Sequence, residues 1–308
     1  KQMKIPKSTA KISKLIDFYY YSPAYLRISG KTQLEYERCL TKAMQTTVKH
    51  KSKLANIRIC DLTAGMLATA YEKWVASYGI RQANYTKSAL SVAWRYGMTK
   101  DIMIHNPVAV IKTIATKPRK VKWERSDIKA FLTVAYGKWE YRSLGLLVHM
   151  SYDWGQRVGD MRMLKWDSLD LDLCRMDLTQ SKRGADVHLP ISQNLCQMLR
   201  NQKEEFGFQD FVAPKISINK GLIRPYLINE ISNNINAVLD EANLSRDLTA
   251  MDLRRTAVTE MMEAGVDLVG IMQVTGHASP TSLAPYMVNT FSGASKALSA
   301  RGNEDEHS

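Results

Sequence analysis

Residues 252–287 read DLRRTAVTEMMEAGVDLVGIMQVTGHASPTSLAPYM and contain two helical patterns, each closed by a glycine. Apolar residues recur at helical spacing from Leu253 to Met262, which predicts a helix that ends at Gly265. A shorter apolar pattern begins at Leu268 and predicts a second helix that ends at Gly276. This part of the chain is therefore expected to be helical and largely buried.

Three polar residues stand out in this apolar stretch: Arg254, His277 and Tyr286. A second arginine, Arg157 in WGQRVGD, lies far upstream. Two guanidinium groups can hold the nonbridging oxygens of a phosphodiester, a histidine can donate a further hydrogen bond, and a tyrosine can attack the phosphorus. The four residues therefore predict a site that binds and attacks a phosphodiester. Because the chain has no HExxH motif, carboxylate cluster or P-loop, neither a metal ion nor a nucleotide cofactor is expected.

Length and composition are those of an ordinary globular protein. The chain has 308 residues, of which 45% are hydrophobic and 24% charged, enough for two domains with separate cores. It has no run of about 18 apolar residues and no secretory signal, so we expect an intracellular protein without a membrane segment. The spacing of its four cysteines predicts reduced core thiols rather than disulfides or zinc ligands. These cysteines are Cys39, Cys60, Cys174 and Cys196.

Positive charge is concentrated in the first part of the chain. The formal net charge is +13, and residues 1–121 hold 22 basic and 6 acidic residues, whereas residues 122–308 hold 21 basic and 24 acidic ones. A basic module joined to a nearly neutral one predicts that the first part binds a polyanion, while the second uses a few placed charges. A basic surface that serves only solubility is the alternative.

Helical patterns fill the N-terminal region and predict a small bundle with a basic face for a DNA duplex. They cover residues 8–21, a segment from Thr32 with Glu35 as its capping box, residues 67–78 stopped by Gly79, and residues 83–96 closed by Gly97. We expect the aromatic residues, Tyr19 to Tyr21 included, to be core and rim residues rather than platforms on which bases stack.

Residues 111–124 are interpreted as a basic linker between two domains. Pro107 and Pro118 prevent a helix from continuing through this region. Its cations are expected to lie near DNA phosphates, although a solvated connector would have the same composition. These cations are Lys117, Arg119, Lys120 and Lys122.

Residues 125–300 combine helices with a small antiparallel sheet, so the predicted fold class is mainly α with a small β component (α+β). Ser126 is the predicted cap of the first helix, and residues 142–153 predict an apolar helix before Gly155. Residues 169–191 alternate apolar and polar positions around a turn, which predicts strands. The acidic tail, residues 301–308, is expected to be loose.

Two further charged residues are candidates for the site. Asp160 follows Arg157 by three residues, so on a helix its carboxylate can orient the guanidinium, although a surface ion pair would look the same. Lys182 is expected at the tip of a β-hairpin, where its ammonium group can reach away from a rigid base. Most lysines at hairpin tips are only solvated.

Taken in order, these segments resemble the active-site series of the tyrosine recombinases, the phage integrase family. GQRVGDM is similar to the family's arginine box, QSKRGADVHLPIS to its β-hairpin lysine, DLRRT to its second arginine box, and TGHASPTSLAPYM to its histidine-to-tyrosine segment. TQLEYERCL and ANYTKSALSVAWRYGM resemble its helical, SAM-like core-binding domain. The resemblance implies a core-binding domain in residues 1–110 and a catalytic domain in residues 125–300.

The resemblance also implies a role for each candidate residue. Tyr286 would attack the phosphorus to give a 3′-phosphotyrosine, and Lys182 would protonate the leaving 5′ hydroxyl. Arg157, Arg254 and His277 would hold the phosphate, with no metal and no high-energy cofactor. One position departs from the family, because its second box usually reads His-x-x-Arg and Met251 stands at the histidine position. Methionine can neither exchange a proton nor donate a hydrogen bond, so we expect slower chemistry.

The implied function is that of a site-specific DNA recombinase, an integrase of a phage or other mobile element. It would bind double-stranded DNA at attachment-type sites as a homotetramer, pass through a Holliday junction and work with accessory DNA-bending proteins in some cases. Residues 290–300 would dock on a neighbouring protomer. The expected location is the cytoplasm, at the nucleoid of a bacterial or archaeal host. Because the chain begins at Lys1 rather than at a methionine, the sequence leaves open whether a further N-terminal arm-binding domain was removed.

Two alternatives remain at this point. A type IB topoisomerase-like nicking and closing enzyme would use the same five groups as a monomer. The second alternative is a DNA-binding relic, a protein that kept the fold but lost catalysis. Met251 at the family's histidine position is the reason to consider it.

Overall fold

The computed structural model describes residues 4–49, 51–117, 119–182, 184–217, 222–286 and 290–302. The chain divides into two compact units, Lys1–Lys117 and Pro118–Ser308, each with its own hydrophobic core. The division therefore falls inside the predicted linker, residues 111–124. None of the helices in the described ranges has the length and apolarity needed to cross a bilayer.

Helices dominate the first unit. They are α1 (Ile12–Tyr20), α2 (Pro23–Leu26), α3 (Gly30–Gln45), α4 (Ala64–Tyr78) and α5 (Ile80–Met98). An antiparallel ribbon of β1 (Thr47–Lys49) and β2 (Ser52–Lys53) follows α3, with 3₁₀ turns at Leu54–Asn56 and Ile59–Asp61. Helix α5 packs against α1, α3 and α4, so it is the centre of this bundle.

The start of α3 differs from the sequence prediction. The cap of α3 is Ser29 rather than Thr32, because the Ser29 hydroxyl accepts the backbone N–H of Thr32 and the helix starts at Gly30. Glu35 forms an ion pair with Arg38 at 2.9 Å rather than a capping box.

Helix α5 does not close at Gly97 but continues to Met98. A Cβ atom at Gly97 would lie 2.8 Å from Leu15 Cδ1 and 2.8 Å from Met103 Sδ. The glycine therefore serves close packing inside the helix rather than a stop.

Of the aromatic residues at the end of α1, Tyr19 lies in the core and Tyr21, just after the helix, lies at the rim. Tyr19 is 1% exposed and packs against Tyr25, with ring centroids 5.3 Å apart, whereas Tyr21 is 68% exposed at the rim. Burial raises the pKa of Tyr19 to about 12, in keeping with a core position.

The second unit surrounds a buried helix with further helices and short strands. Its helices are α6 (Arg125–Gly137), α7 (Arg142–Asp153), α8 (Val158–Met161), α9 (Gln193–Phe206), α10 (Ile228–Glu241), α11 (Ala250–Glu263), α12 (Leu268–Thr275), α13 (Pro280–Leu283) and α14 (Phe291–Gly302). Its strands are β3 (Leu169–Asp170), β4 (Arg175–Thr179), β5 (Asp186–Pro190), β6 (Lys215–Ser217) and β7 (Leu222–Arg224). Short 3₁₀ turns lie at Trp139–Tyr141, Trp166–Ser168 and Ala284–Tyr286.

The predicted fold class, mainly α with small antiparallel sheets, is confirmed. Strands β3, β4 and β5 form an antiparallel sheet in that order, with Met176 opposite Leu189, as the alternating pattern indicated. The pair β6 and β7 is a further two-stranded sheet that the sequence did not predict. Helix α7 has the predicted bounds and packs against α6 and α11.

The cap of α6 is Glu124, not Ser126. The carboxylate of Asp127 accepts the backbone N–H of Glu124 at 2.9 Å in a reciprocal capping box, so the helix begins at Arg125. At the other end of the unit, α14 continues through Arg301 to Gly302, so the first two residues of the expected loose tail are helical. Residues 303–308 lie outside the described residues.

The cysteine prediction is confirmed only in part. All four are free thiols, and Cys39 and Cys196 are buried in the two cores. Cys60 is exposed and Cys174 is partly buried, because both lie in short turns rather than on the apolar face of a helix.

Candidate active site

Arg254 lies at the centre of the candidate site. It projects from α11 with only 2% of its surface exposed. Its guanidinium donates to the carbonyl oxygen of Thr275 at 2.6 Å and to that of Gly155 at 3.2 Å, and Nη2 lies 3.2 Å from Nε2 of His277. The first and second arginine boxes and the histidine segment therefore meet at this one side chain.

His277 is held by the turn that ends α12. Gly276 caps that helix in the left-handed conformation, at φ 66°, and turns the chain towards the site. The ring Nδ1 lies 2.6 Å from the hydroxyl oxygen of Thr275, which also donates to the carbonyl of Ile271 at 2.6 Å. With 7% exposure, the imidazole has a fixed position against Arg254.

Tyr286 completes the group from the turn Ala284–Tyr286. Its ring centroid is 5.0 Å from that of His277 and 5.5 Å from Cζ of Arg254. One side of the ring packs on a small apolar cluster that includes Val258 and Leu283. Both the histidine and the second arginine are thus adjacent to the phenol.

Arg157 precedes α8, directly after the turn at Gly155, which has φ +57°. Its Nη1 donates to Oε1 of Gln180 at 2.9 Å and lies 3.6 Å from a carboxylate oxygen of Asp160. Asp160 is itself fixed, because it accepts the backbone N–H of Ser181 at 3.2 Å and the Ser181 hydroxyl at 2.5 Å. The first arginine is therefore attached to the turn that joins β4 to β5.

The two arginines affect each other electrostatically. Burial is the main cause that lowers the pKa of Arg254 to about 10, and the nearby positive charge of Arg157 lowers it further. The site therefore carries two cationic side chains with one carboxylate, Asp160, beside the first of them, and this charge balance favours the binding of an anion.

Two buried glutamines connect these parts and were not predicted from the sequence. Gln156 and Gln180 are 0% and 1% exposed, and Nε2 of Gln180 donates to Oε1 of Gln156 at 2.6 Å and to the carbonyl of Thr275 at 2.8 Å. Nε2 of Gln156 donates in turn to the carbonyls of Trp154 and Val274. The signal was weak: each glutamine lies within two residues of a predicted site residue.

Lys182 and Met251 lie at the surface. Lys182 is exposed at the hairpin tip, two residues after Gln180, and among the described residues no hydrogen bond or ion pair joins it to the other four candidates. Met251 is 78% exposed on the first turn of α11, three residues before Arg254. Short contacts therefore link Arg254, His277 and Tyr286, and Arg157 through Gln180, whereas among the described residues Lys182 has no such contact with them.

The linker cations have different environments. Lys117 and Lys120 are exposed, and Lys122 lies 3.3 Å from a carboxylate oxygen of Glu124. Arg119 binds the buried carboxylate of Asp252 through both Nε and Nη2. Arg119 thus has an intramolecular partner. In the part of the chain that the structure describes, no three acidic, cysteine or histidine side chains are grouped as metal ligands are.

A mainly helical unit in which two arginines, a histidine and a tyrosine are linked is the arrangement expected of the tyrosine recombinases. The chain belongs to the phage integrase family, whose model matches residues 124–292.

Individual relatives agree with this assignment. The chain is 24% identical over 187 residues to the integrase of Escherichia phage HK022, covering 56% of this chain and 51% of that protein, so it spans about half the length of that relative. It is 23% identical over 208 residues to the tyrosine recombinase XerC of Pediococcus pentosaceus, covering 65% and 68% of the two chains. The structure of a lambda integrase tetramer bound to a Holliday junction matches with a TM-score of 0.72, 19% identity and coverage of 91% and 78%. The fold is thus that of the integrases.

Proposed function

We propose that this protein is a site-specific DNA recombinase, an integrase that cleaves and rejoins DNA strands through a covalent 3′-phosphotyrosine at Tyr286. The observation that carries the proposal is the meeting of Arg254, His277 and Tyr286 within 5.5 Å, with Arg157 joined through Gln180 to the Thr275 carbonyl that also accepts from Arg254. A phosphodiester placed between the guanidinium groups would have the phenol beside its phosphorus.

The charges in the site match those that develop during phosphoryl transfer. Attack puts additional negative charge on the nonbridging oxygens, and fixed donors in a water-poor pocket stabilise that charge most strongly. Arg254 is suited to this role because it is buried, its guanidinium is oriented by two backbone carbonyls, and its Nε has no acceptor among the described residues. Arg157 and His277 add donors from two other directions.

The bond changes balance without a cofactor. The Tyr286 phenol gives its proton to water as its oxygen forms a bond to phosphorus, the bond from phosphorus to the 5′ oxygen breaks, and Lys182 protonates that leaving oxygen to give a 5′ hydroxyl. The exposed hairpin tip permits Lys182 to move onto bound DNA. In the second step a 5′ hydroxyl of the partner strand attacks the phosphotyrosine and releases Tyr286, so the phosphate bond energy is conserved.

The proposed substrate is duplex DNA at attachment-type sites, held by a homotetramer. The first 121 residues carry the excess of basic residues that a DNA-binding module requires. Helix α14 exposes Phe291 at 90% and Leu298 at 67%, apolar side chains that a neighbouring protomer would cover. The tetrameric assembly of lambda integrase on a Holliday junction is the precedent.

The function is tested with a library of nicked suicide duplexes of randomised sequence, in which the short strand beyond the cut diffuses away and traps the covalent intermediate. The wild type should give protein–DNA adducts enriched in one sequence, and Tyr286→Phe should give none. Adducts on all sequences alike would indicate a nicking and closing enzyme, and tight binding without any adduct would indicate a DNA-binding relic.

A further inference from the structure

Gln180 makes an unusually complete set of contacts for a glutamine at the end of a strand. It follows β4 and is 1% exposed. Its Oε1 accepts from Arg157 at 2.9 Å, and its Nε2 donates to Gln156 at 2.6 Å and to the carbonyl of Thr275 at 2.8 Å. The Gln180 side chain therefore contacts Arg157, the preceding residue Gln156, and Thr275 in the segment that carries His277.

These contacts fix which way the amide points. Both Nε2 hydrogens are used by oxygen acceptors, so Oε1 must face the guanidinium of Arg157. A flipped amide would place its NH₂ against that guanidinium, with two donors facing each other in a buried site, which is costly. The two hydrogen bonds that Nε2 donates therefore determine that Oε1, an acceptor, faces Arg157.

Close packing adds to the constraint. A Cβ atom at Gly276 would lie 2.7 Å from Nε2 and 2.9 Å from Cδ of Gln180. Because Gly276 has no side chain, the Gln180 amide can pack directly against the backbone of this turn.

Arg157 requires such support. It experiences the positive charge of Arg254, and its carboxylate partner Asp160 lies at 3.6 Å, longer than a hydrogen bond. The 2.9 Å bond to Gln180 is its short contact with a buried acceptor. Without it, a flexible arginine side chain has several rotamers available.

We propose that Gln180 is a positioning residue for Arg157. Its amide holds the first guanidinium against one nonbridging oxygen of the scissile phosphate and ties that position to the segment bearing His277. This inference rests on the proposed function, because Gln180 acts on the reaction only by holding Arg157, the side chain that stabilises charge on the phosphate.

The test compares Gln180→Leu with Gln202→Leu. Gln202 is a matched control because it is also buried, at 4%, and also donates through Nε2, here to Ser143 and to the carbonyl of Val212, within the core. Urea unfolding shows whether each variant folds, and Gln180→Met, which keeps the length of the side chain, replaces the leucine variant if that one does not fold. The readout is the single-turnover rate of adduct formation on a suicide duplex enriched with the wild type.

The decisive substrate carries a methylphosphonate at the scissile position, as two separated diastereomers. Replacing a nonbridging oxygen by methyl removes the charge that a guanidinium must neutralise. We expect Gln180→Leu to slow adduct formation roughly 100-fold on the phosphodiester, since small misplacements of catalytic groups cost about that much. On one methylphosphonate diastereomer the defect should shrink to less than about threefold, and Gln202→Leu should show no such dependence on the substrate.

A defect of equal size on every substrate, or no defect at all, would overturn the inference. A 5′-bridging phosphorothiolate, whose sulfur leaves without protonation, provides a further check. If this substrate rather than the methylphosphonate removes the defect, Gln180 acts through Lys182 and the assignment to Arg157 is wrong. Failure of the wild type to form any adduct that depends on Tyr286 would instead overturn the proposed function together with this inference.

Discussion

Arg119 holds both carboxylate oxygens of Asp252, with its Nε 3.0 Å from Oδ1 and 3.1 Å from Oδ2. Asp252 is fully buried and also accepts from Arg255 at 2.6 Å and from the Thr249 hydroxyl at 2.7 Å. It lies on α11, two residues before Arg254. The segment that opens the second unit is therefore fastened to the helix that carries the central arginine of the site.

Removing Asp252 should destabilise the protein strongly. Asp252→Ala leaves two guanidinium groups without their acceptor, one of them largely buried, and we expect a loss of about 3 kcal/mol in the free energy of unfolding. Arg119→Ala should cost about 1 kcal/mol, because that side chain is 43% exposed and screened by water. Urea unfolding measures both. Arg125→Ala, which removes an 80% exposed partner of Glu260, is the control and should leave the midpoint unchanged.

Restoring a histidine at position 251 should accelerate cleavage. Met251→His places a group that can donate or accept a proton on the first turn of α11, three residues before Arg254, where the family has its histidine. Because the side chain is 78% exposed, the substitution should not disturb the core. We expect adduct formation to be at least about tenfold faster in single-turnover experiments. Met251→Ala should react like the wild type, and an equal rate for the histidine variant would show that this position takes no part.

The turn before His277 should not accept a side chain. Gly276→Ala combines a positive φ with a Cβ only 2.7 Å from the Gln180 amide, so we expect at least about a tenfold loss of cleavage rate as the two displace each other. Gly265→Ala has a similar backbone, at φ 87°, but nothing within 4 Å of the new Cβ. It should lose about 1 kcal/mol of stability from backbone strain and keep its cleavage rate. Equal losses of rate in the two variants would contradict the importance of the Gln180 contact.

Stability should depend on pH through Glu230. Hydrogen bonds from Arg224, at 2.7 and 2.8 Å, and from the backbone N–H of Leu227 lower the pKa of this carboxyl from 4.5 to about 2. A carboxyl with a depressed folded-state pKa stabilises the protein above its unfolded value, and that stabilisation is lost as the pH falls from about 4.5 towards 2. Glu230→Gln should therefore be less stable than the wild type by about 1 kcal/mol at pH 7, because the pair is partly exposed. The difference should shrink in urea titrations below about pH 4.5, and a difference independent of pH would contradict this account.

The parts of the fold that the sequence predicted well depend on local patterns. Helix α7 has its predicted bounds because a continuous apolar run ends before the turn at Gly155. The β4–β5 hairpin follows from strict alternation around one turn. Helix caps were less certain because neighbouring residues can compete, as when Ser29 rather than Thr32 caps α3.

The contacts that hold the site together could not be predicted, because their partners are distant in sequence. Arg119 and Asp252 are 133 residues apart, and Gln180 meets Thr275 across 95 residues. A buried amide has no sequence pattern of its own, so Gln156 and Gln180 read as ordinary polar residues. Gly97 likewise reads as a helix stop until the side chain of Leu15 is placed against it.

The central claim is that Tyr286 bonds to the 3′ phosphate of the cut strand. After adduct formation on a suicide duplex, the tryptic peptide from Thr256 to Lys296, which contains Tyr286 as its single tyrosine, can be isolated with its nucleotide and sequenced by mass spectrometry. We expect a nucleotide joined through its 3′ phosphate to Tyr286, with a free 5′ hydroxyl on the released strand. A nucleotide on another residue, a 5′ linkage, or a cut strand with no attached peptide would contradict it.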